Sequence, residues 1–529
     1  MNKLFKHILL LLFITFVFNL DFPVPQESPL PVSPTHLHSI FQALGGCISS
    51  LLHAYPDGWS DDILLTPEDM KQRSNPDLDV DGYNNIWAVW DSATWVSGTA
   101  EILYSKRDSL GDCLITETDV SNNPSFSLLP RVVVDTSNNV HFIWRDQTPQ
   151  GMGLWHARLA NDGSVIVPSH LAVNGAGGLG ISIEIALDKY QHINSAWAES
   201  PFGYNQMSYT KLDTLGNPII EKIRVSPEGL DAYWVGIGVD SMANNHLACR
   251  TDSGGITNRL TYSKLDKDGN ILISNKVLAT GGNNSIVSDK NQNIHIVYTN
   301  PAGPGNRIDY LKLDQNGNIL IGPKTISSPQ IHSNTYAHMA IDSLQYLHVV
   351  WQGDSLAVVV YIMYCKLDTL GNYVIPPMKI VYPPHTPGGG MPRIAVDHSN
   401  RLHVVWVDGR LNPGVTTDIF YKRGENETGV KEIERSKSSI LPRISVSPNP
   451  FFNETKITFL LPKELKKCRI EIFDIIGRKV KEFILDKLEG FITWQGTDND
   501  GNYLPAGVYF IQFSTNIKDT PSIPIILLR

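Results

Sequence analysis

Short apolar runs alternate with polar, turn-forming clusters along most of the chain, and one such unit recurs at a nearly constant length. The segments VDGYNNIWAVW, VDTSNNVHFIW and VDHSNRLHVVW show its form: a strand ending in Val-Asp, a polar turn, and a second strand ending in Trp. Aligned on the aspartate, the units fall at Asp81, Asp135, Asp188, Asp240, Asp289, Asp342 and Asp397, separated by 54, 53, 52, 49, 53 and 55 residues. Nine residues after each stands Trp90, Trp144, Trp197, Cys249, Tyr298, Trp351 or Trp406. A third strand follows as SYTKLD, TYSKLD, DYLKLD or MYCKLD. Then come an Asp-x-x-Gly turn (Asp213–Gly216, Asp266–Gly269, Asp314–Gly317, Asp368–Gly371) and a fourth strand. Glycine tolerates positive φ and aspartate bonds its own backbone, so these are hairpin turns. Four antiparallel strands per unit predict a propeller blade.

The seventh unit stops after its third strand, DIFYKRG, whereas an orphan strand-like segment, Asp61–Pro67 (DDILLTP), precedes the first. That segment is expected to complete the last blade, which closes the ring and removes two exposed sheet edges. The fold expectation is all-β: a seven-bladed β-propeller plus a C-terminal immunoglobulin-like β-sandwich. Its boundaries are a signal peptide at 1–20, a Pro-rich lead with a helical stretch at 21–58, the propeller at 59–424, a charged linker at 425–442 and the sandwich at 443–529. Second strands are apolar on both faces (Val140, Phe142 and Trp144 against Ile143), so the tryptophans are assigned to packing between blades.

Composition agrees with many short strands: charged residues make up 18% of the chain, beside 41 Gly and 33 Pro. A net charge of -9 leaves no basic face for phosphates, so no nucleic-acid partner is expected. Lys3 and Lys6 ahead of the apolar run Ile8–Phe18 read as a secretory signal too short to span a bilayer. Five scattered cysteines make neither a disulfide framework nor a zinc site.

Histidines recur six residues after the aspartate: His141, His246, His295, His348 and His403. Packed sheets lie about 10 Å apart and zinc ligands must reach about 2 Å from the metal, so a shared metal ring is excluded and local hydrogen bonding is expected. The turns Asp266–Asn270 and Asp498–Asn502 resemble the start of a calcium loop but lack its twelfth-position Glu; no cofactor is expected beyond weak calcium. No nucleophile-elbow, zincin or phosphate-loop motif occurs. Sialidases are propellers too, but they need an arginine cluster, and here the inner-strand arginines Arg131 and Arg393 have no evident third member of a clamp. The expectation is therefore a non-enzymatic, monomeric protein binding an extracellular glycan, polymer or protein; a sialidase-like hydrolase or lyase is the alternative. Loops between second and third strands vary in length, and variable loops on a rigid scaffold carry function. They supply the candidate ligand-binding residues Asp91, Trp95, Asp146, Glu199, Tyr204, Asp354, Asp408 and Arg410.

After the linker stand SVSPNPF (Ser445–Phe451), FDIIGRKV (Phe473–Val480) and WQGTDNDGNYLPAGVYFI (Trp494–Ile511). In combination these resemble the type A C-terminal sorting domain of the type IX secretion system. The resemblance implies engagement of that machinery, passage across an outer membrane, and release or attachment at the cell surface. The repeat region resembles bacterial surface proteins of an uncharacterised repeat type, which implies no substrate.

Overall fold

The computed structural model describes residues 58–528, apart from 68, 70, 95–98, 124–125, 149–150, 176–181, 201–203, 254–255, 302–304, 329–330, 355–359, 382–388, 413, 426–442, 448, 450, 462–467, 476, 486, 488 and 515–522. The signal segment, the helical stretch of the lead and the linker lie outside those residues. The chain divides into a large body within residues 39–429 and a smaller one within 430–529. All described regular elements are strands, and no helix long and apolar enough to cross a membrane occurs among the described residues.

In the large body the strands form seven four-stranded antiparallel sheets. Their inner strands are Gln72–Val80, Leu128–Val134, Ile183–Leu187, Asp231–Val239, Gly282–Ser288, Ser333–Ile341 and Gly390–Val396. Each inner strand packs against the next, and the seventh packs back on the first, so the arrangement is a closed, propeller-type ring. Second strands are buried on both faces, as Leu402–Asp408 is throughout, while fourth strands such as Pro218–Arg224 alternate half-buried and exposed. The second strands therefore form the core between sheets, and the fourth strands, which expose Ile219 and Leu320 among others, form the circumference.

Closure uses the orphan segment. Ile63 and Leu64 pair with Tyr421 and Phe420, and the Leu65 amide donates to the Ile419 carbonyl at 2.9 Å. Beside them the Asp62 carboxylate takes Arg410 at 2.7 Å and Lys422 at 2.8 Å. The two ends of the ring-forming segment are thus joined by ladder bonds and by one carboxylate shared between two cations.

Within each sheet the aspartate that ends the inner strand organises the turn. Asp135 Oδ1 accepts the amides of Ser137 at 2.9 Å and Asn139 at 2.8 Å. The residue three past each aspartate (Asn84, Asn138, Gln191, Ala243, Gln292, Gln345, Asn400) is left-handed, which lets the chain double back. In five of the sheets the other carboxylate oxygen faces the histidine six along. In the fourth sheet Asp240 Oδ2 lies 3.2 Å from His246 Nε2, and His246 Nδ1 lies 2.7 Å from the Tyr262 hydroxyl. The fifth, sixth and seventh sheets repeat this with His295 and Tyr310, His348 and Tyr364, and His403 and Tyr421. An ionised aspartate can only accept, so Nε2 carries the proton and Nδ1 accepts from the phenol. Burial pushes the His246 imidazole down and keeps it neutral; burial would raise Asp240, but hydrogen bonds from His246 and Asn244 outweigh it and hold the carboxyl below its usual range. The second sheet varies the pattern, with His156 in place of the tyrosine at 3.1 Å from His141.

The smaller body holds a three-stranded sheet (Arg443–Ser447, Thr455–Leu460, Glu489–Trp494) and a four-stranded one (Lys479–Leu485, Cys468–Phe473, Gly507–Ser514, Ile523–Leu527). A single apolar core centred on Phe451, Trp494, Tyr509 and Phe513 joins them. Asn449 of the Pro-Asn-Pro opening accepts the Ile526 amide at 2.8 Å, which ties the start of the body to its last strand. The Asp498 carboxylate is taken up by its own turn, through the amides of Asp500 and Asn502.

Two stability predictions follow from these bonds. Tyr262→Phe strands a buried imidazole nitrogen and should cost about 1–3 kcal/mol, read as a lower denaturation midpoint with an unchanged m-value. Asp79, whose carboxylate accepts the Val134 and Val80 amides at 2.8 Å each, is pushed up by burial to about 7. A raised carboxyl pKa contributes stability that is complete below about pH 4 and is lost as pH rises through about 7. Asp79→Asn cannot ionise, so between about pH 4 and pH 8 the wild-type melting temperature should fall relative to that of the variant.

Candidate functional site at the axial mouth

Counting back four residues from each aspartate gives one residue per sheet: Asp77, Arg131, Glu184, Gly236, Ser285, His338 and Arg393. Two residues earlier the inner strands break register. Shifts fall between Ser74 and Asp77, Leu128 and Arg131, Tyr233 and Gly236, Gly282 and Asn284, Thr335 and His338, and Gly390 and Arg393. At each break a non-glycine residue is left-handed: Asn75 (φ 50°), Leu129 (56°), Trp234 (54°), Asn283 (46°), Tyr336 (53°) and Met391 (50°). Bulges re-aim side chains, and bulky residues in this region carry strain that the surroundings must hold. Here six of them ring one end of the axis.

The result is a small mouth lined by the inner strands of all seven sheets. A second, roomier cavity runs along the inner strands of the third to sixth sheets, and Glu184, Asn284, His338 and Arg393 line both. These residues therefore separate the mouth from the channel beneath. One wall of the mouth is aromatic, with Trp234 and Tyr336 edge-to-face at 5.9 Å between centroids and both half-buried. Its floor is ionic. Arg393 of the seventh sheet reaches Glu184 of the third with both terminal nitrogens, Nη2 to Oε1 at 2.6 Å and Nη1 to Oε2 at 3.1 Å. Arg131 Nη2 adds a bond to Oε1 at 2.9 Å, while its Nη1 donates to the Pro130 carbonyl at 2.7 Å.

Burial alone would raise Glu184, but the two guanidiniums outweigh it and hold the carboxyl at about 2, so it is ionised throughout the physiological range. His338 goes the other way: burial, then the Arg393 charge, push it down to about 3. Its Nδ1 accepts the Ile394 amide at 3.2 Å, so the neutral ring presents Nε2–H as a donor. Three members of the ring also stitch neighbouring sheets, because Asp77, Ser285 and His338 each accept an amide from the next inner strand. Gly236 has no side chain to offer, and a Cβ there would overlap the Asn284 amide. Among the described residues, Arg131 Nε and Asn284 Oδ1 are buried without a partner, and both residues line the mouth.

Of the eight loop residues singled out from sequence, none of the seven that are described is among those lining this mouth. Asp146, Glu199 and Asp408 sit two residues after a core tryptophan, on the same strand face, and accept its indole N–H at 3.3, 3.1 and 3.0 Å. Arg410 is shared between Asp408 and Asp62 in the ring closure. Asp91 accepts from the Asn75 side chain at 2.7 Å and the Leu129 amide at 3.0 Å, so it props two of the left-handed mouth residues. Asp354, with burial, raises the Tyr336 phenol. Tyr204 is half-buried, and Trp95 lies outside the described residues. The loops themselves leave the ring at the mouth end, because residues opening them pair with the first residues of inner strands, as Asp91 does with Ser74 and Asp354 with Ser333. Sequence reasoning noted Arg131 and Arg393 but missed Glu184, Trp234, Tyr336 and His338. Their signal is a fixed offset from the aspartate at which residue type varies.

Residues 445–526 match the family described as the secretion system C-terminal sorting domain. The chain carries a type IX sorting domain and is a secreted or cell-surface protein. A search of curated proteins found no match. Among solved structures, the chain is similar to a PL25 ulvan lyase bound to -[GlcA(1-4)Rha3S]- (8% identity, TM-score 0.49, 68% of this chain and 95% of that one). It is also similar to an α-L-arabinanase of Penicillium chrysogenum (11%, 0.41, 61% and 98%) and to the lectin BP39L of Burkholderia pseudomallei (10%, 0.43, 67% and 98%). Similarity at this level speaks to fold alone. The expectation that the chain is not an enzyme does not stand, since its structural neighbours include polysaccharide lyases and an arabinanase, and the propeller-type ring gives no ground for setting catalysis aside.

The ionic floor makes a direct prediction about stability. Arg393→Met leaves a largely buried carboxylate with one guanidinium instead of two, and should cost about 3 kcal/mol in denaturant unfolding. Adding Glu184→Gln to that variant should restore part of the loss, which a double-mutant cycle measures.

Proposed function

We propose that the protein is a secreted, monomeric seven-bladed β-propeller with an immunoglobulin-like sorting sandwich, and that its axial mouth acts on an extracellular glycan as a lyase or hydrolase. One observation carries this reading. An aromatic wall and an ionic floor converge from all seven inner strands on a single mouth, around two buried polar atoms that lack partners. Sugars bind by stacking an apolar ring face and hydrogen-bonding the hydroxyls around it, and the mouth supplies both kinds of group.

In this reading Trp234 and Tyr336 take the ring face. The guanidinium hydrogens of Arg131 and Arg393, together with His338 Nε2–H, donate to ligand oxygens. Tyr336 keeps its proton because burial and the nearby Asp354 disfavour the phenolate, so it provides a proton-bearing hydroxyl for a glycosidic oxygen. Glu184, ionised beside two arginines, occupies their guanidiniums in the free protein. Tyr204 belongs to a loop at the same end of the ring, and we assign it to the rim, where further units of a chain would lie.

Incubation of the full-length mature protein with a panel of neutral and acidic polysaccharides tests this, with product followed as new reducing ends or unsaturated termini. At least one polysaccharide should be cleaved. The Trp234→Ala/Tyr336→Ala variant should lose roughly ten-fold or more in rate, the factor set by about 1.4 kcal/mol. Cleavage unchanged in that variant would remove the mouth from the reading.

A further inference from the structure

Glu184 and Arg393 come from sheets three and seven of the ring, yet their side chains meet across the mouth in a two-point contact, with Arg131 on the same carboxylate. From this arrangement we infer that the sugar unit seated at the mouth carries a carboxylate, and that Glu184 is the resident group it replaces. The inference rests on the glycan reading above and names the substrate class for that same site.

The first support is geometric. A planar carboxylate already sits between the two guanidiniums with both oxygens bonded, so the spacing of the arginines is that of a carboxylate site. The second concerns which members are fixed. Arg131 is held by the Pro130 carbonyl at 2.7 Å, and Arg393 Nε lies 4.0 Å from Asp77 Oδ1. Among the described residues Glu184 is bonded by the two arginines alone, and its side chain is the most exposed of the three, at 19% against 7% and 16%. An anion held only by two cations can be exchanged for another anion at little cost in other bonds. The third is charge. His338 is neutral at the same floor, so the cationic capacity is the arginine pair, which suits one carboxylate. The fourth is the unmet polarity beside it, because a uronic acid brings an acceptor for Arg131 Nε and hydroxyls for Asn284 Oδ1.

Binding of the full-length mature protein to matched glycans tests the inference. The probes are polygalacturonate and its methyl ester, alginate and its carboxyl-reduced form, and a sulfated neutral galactan, all at one ionic strength. The acid form of at least one pair should bind roughly ten-fold or more tightly than its uncharged counterpart, and more tightly than the sulfated chain. Glu184→Gln, with its fold checked by melting, should bind that acid form more tightly still, by about ten-fold, because the arginines are no longer neutralised. Equal binding of ester and acid, or preference for sulfate, would overturn the carboxylate inference while leaving the glycan reading intact. Weaker binding by a folded Glu184→Gln would show that Glu184 contacts the ligand itself and would overturn its role as stand-in. Should that variant not fold, the acid-to-ester ratio of the wild type decides. No binding to any probe, with Trp234→Ala/Tyr336→Ala indistinguishable from wild type, would sink the glycan reading and the inference together.

Discussion

An aspartate carboxylate closing the first turn of every sheet is the interaction on which the large body depends. One oxygen collects two turn amides, and the other, in the later sheets, holds an imidazole that in turn holds a tyrosine. Such a group fixes three things at once: where the inner strand ends, how the second strand departs, and how the third lies over it. Because the anchor repeats, each inner strand is measured from the same point. Seven residues at one offset therefore come together at the mouth, although they are separated in sequence by about fifty positions.

The interlocked sheets also explain how charge is tolerated at the axis. A largely buried Arg–Glu–Arg group is costly unless its hydrogen bonds are met. Here the inner strands hold the partners in register, through amides donated to Asp77, Ser285 and His338 from the neighbouring sheet. Strain at the left-handed residues is held in the same way, with Asp91 bonded to Asn75 and Leu129. The net charge of -9 is a property of the whole chain, whereas the mouth concentrates two of its arginines on one carboxylate.

What repeats was legible in the sequence, and what varies was not. The turn aspartates, the ring of large residues nine positions on and the histidines at six are alike from sheet to sheet, so alignment exposes them. The orphan strand at Ile63–Leu64 was legible because the last unit visibly lacked one. The mouth escaped because its residues, Asp77, Arg131, Glu184, Gly236, Ser285, His338 and Arg393, share a position but not one residue type. In a repeat that otherwise conserves type at each step, that variation was itself the signal. The acids after the core tryptophans drew attention as loop charges. Alternation along a strand instead puts Asp146, Glu199 and Asp408 on the tryptophan face, where a buried indole N–H needs an acceptor.

The sharing of one sheet between the beginning and the end of the ring sets an order of events. Thr66 and Asp418, in contact at 3.0 Å, are 352 residues apart along the chain. Until the segment around residue 424 has left the ribosome, Ile63 and Leu64 have no partner strand and Asp62 has neither of its cations. The circle therefore cannot be completed in instalments: the earlier sheets can assemble in turn, but the mouth acquires its second arginine only when the final unit arrives and the clasp shuts. Synthesis of a truncated chain would leave a row of stacked sheets with an open end, and no floor beneath the aromatic wall.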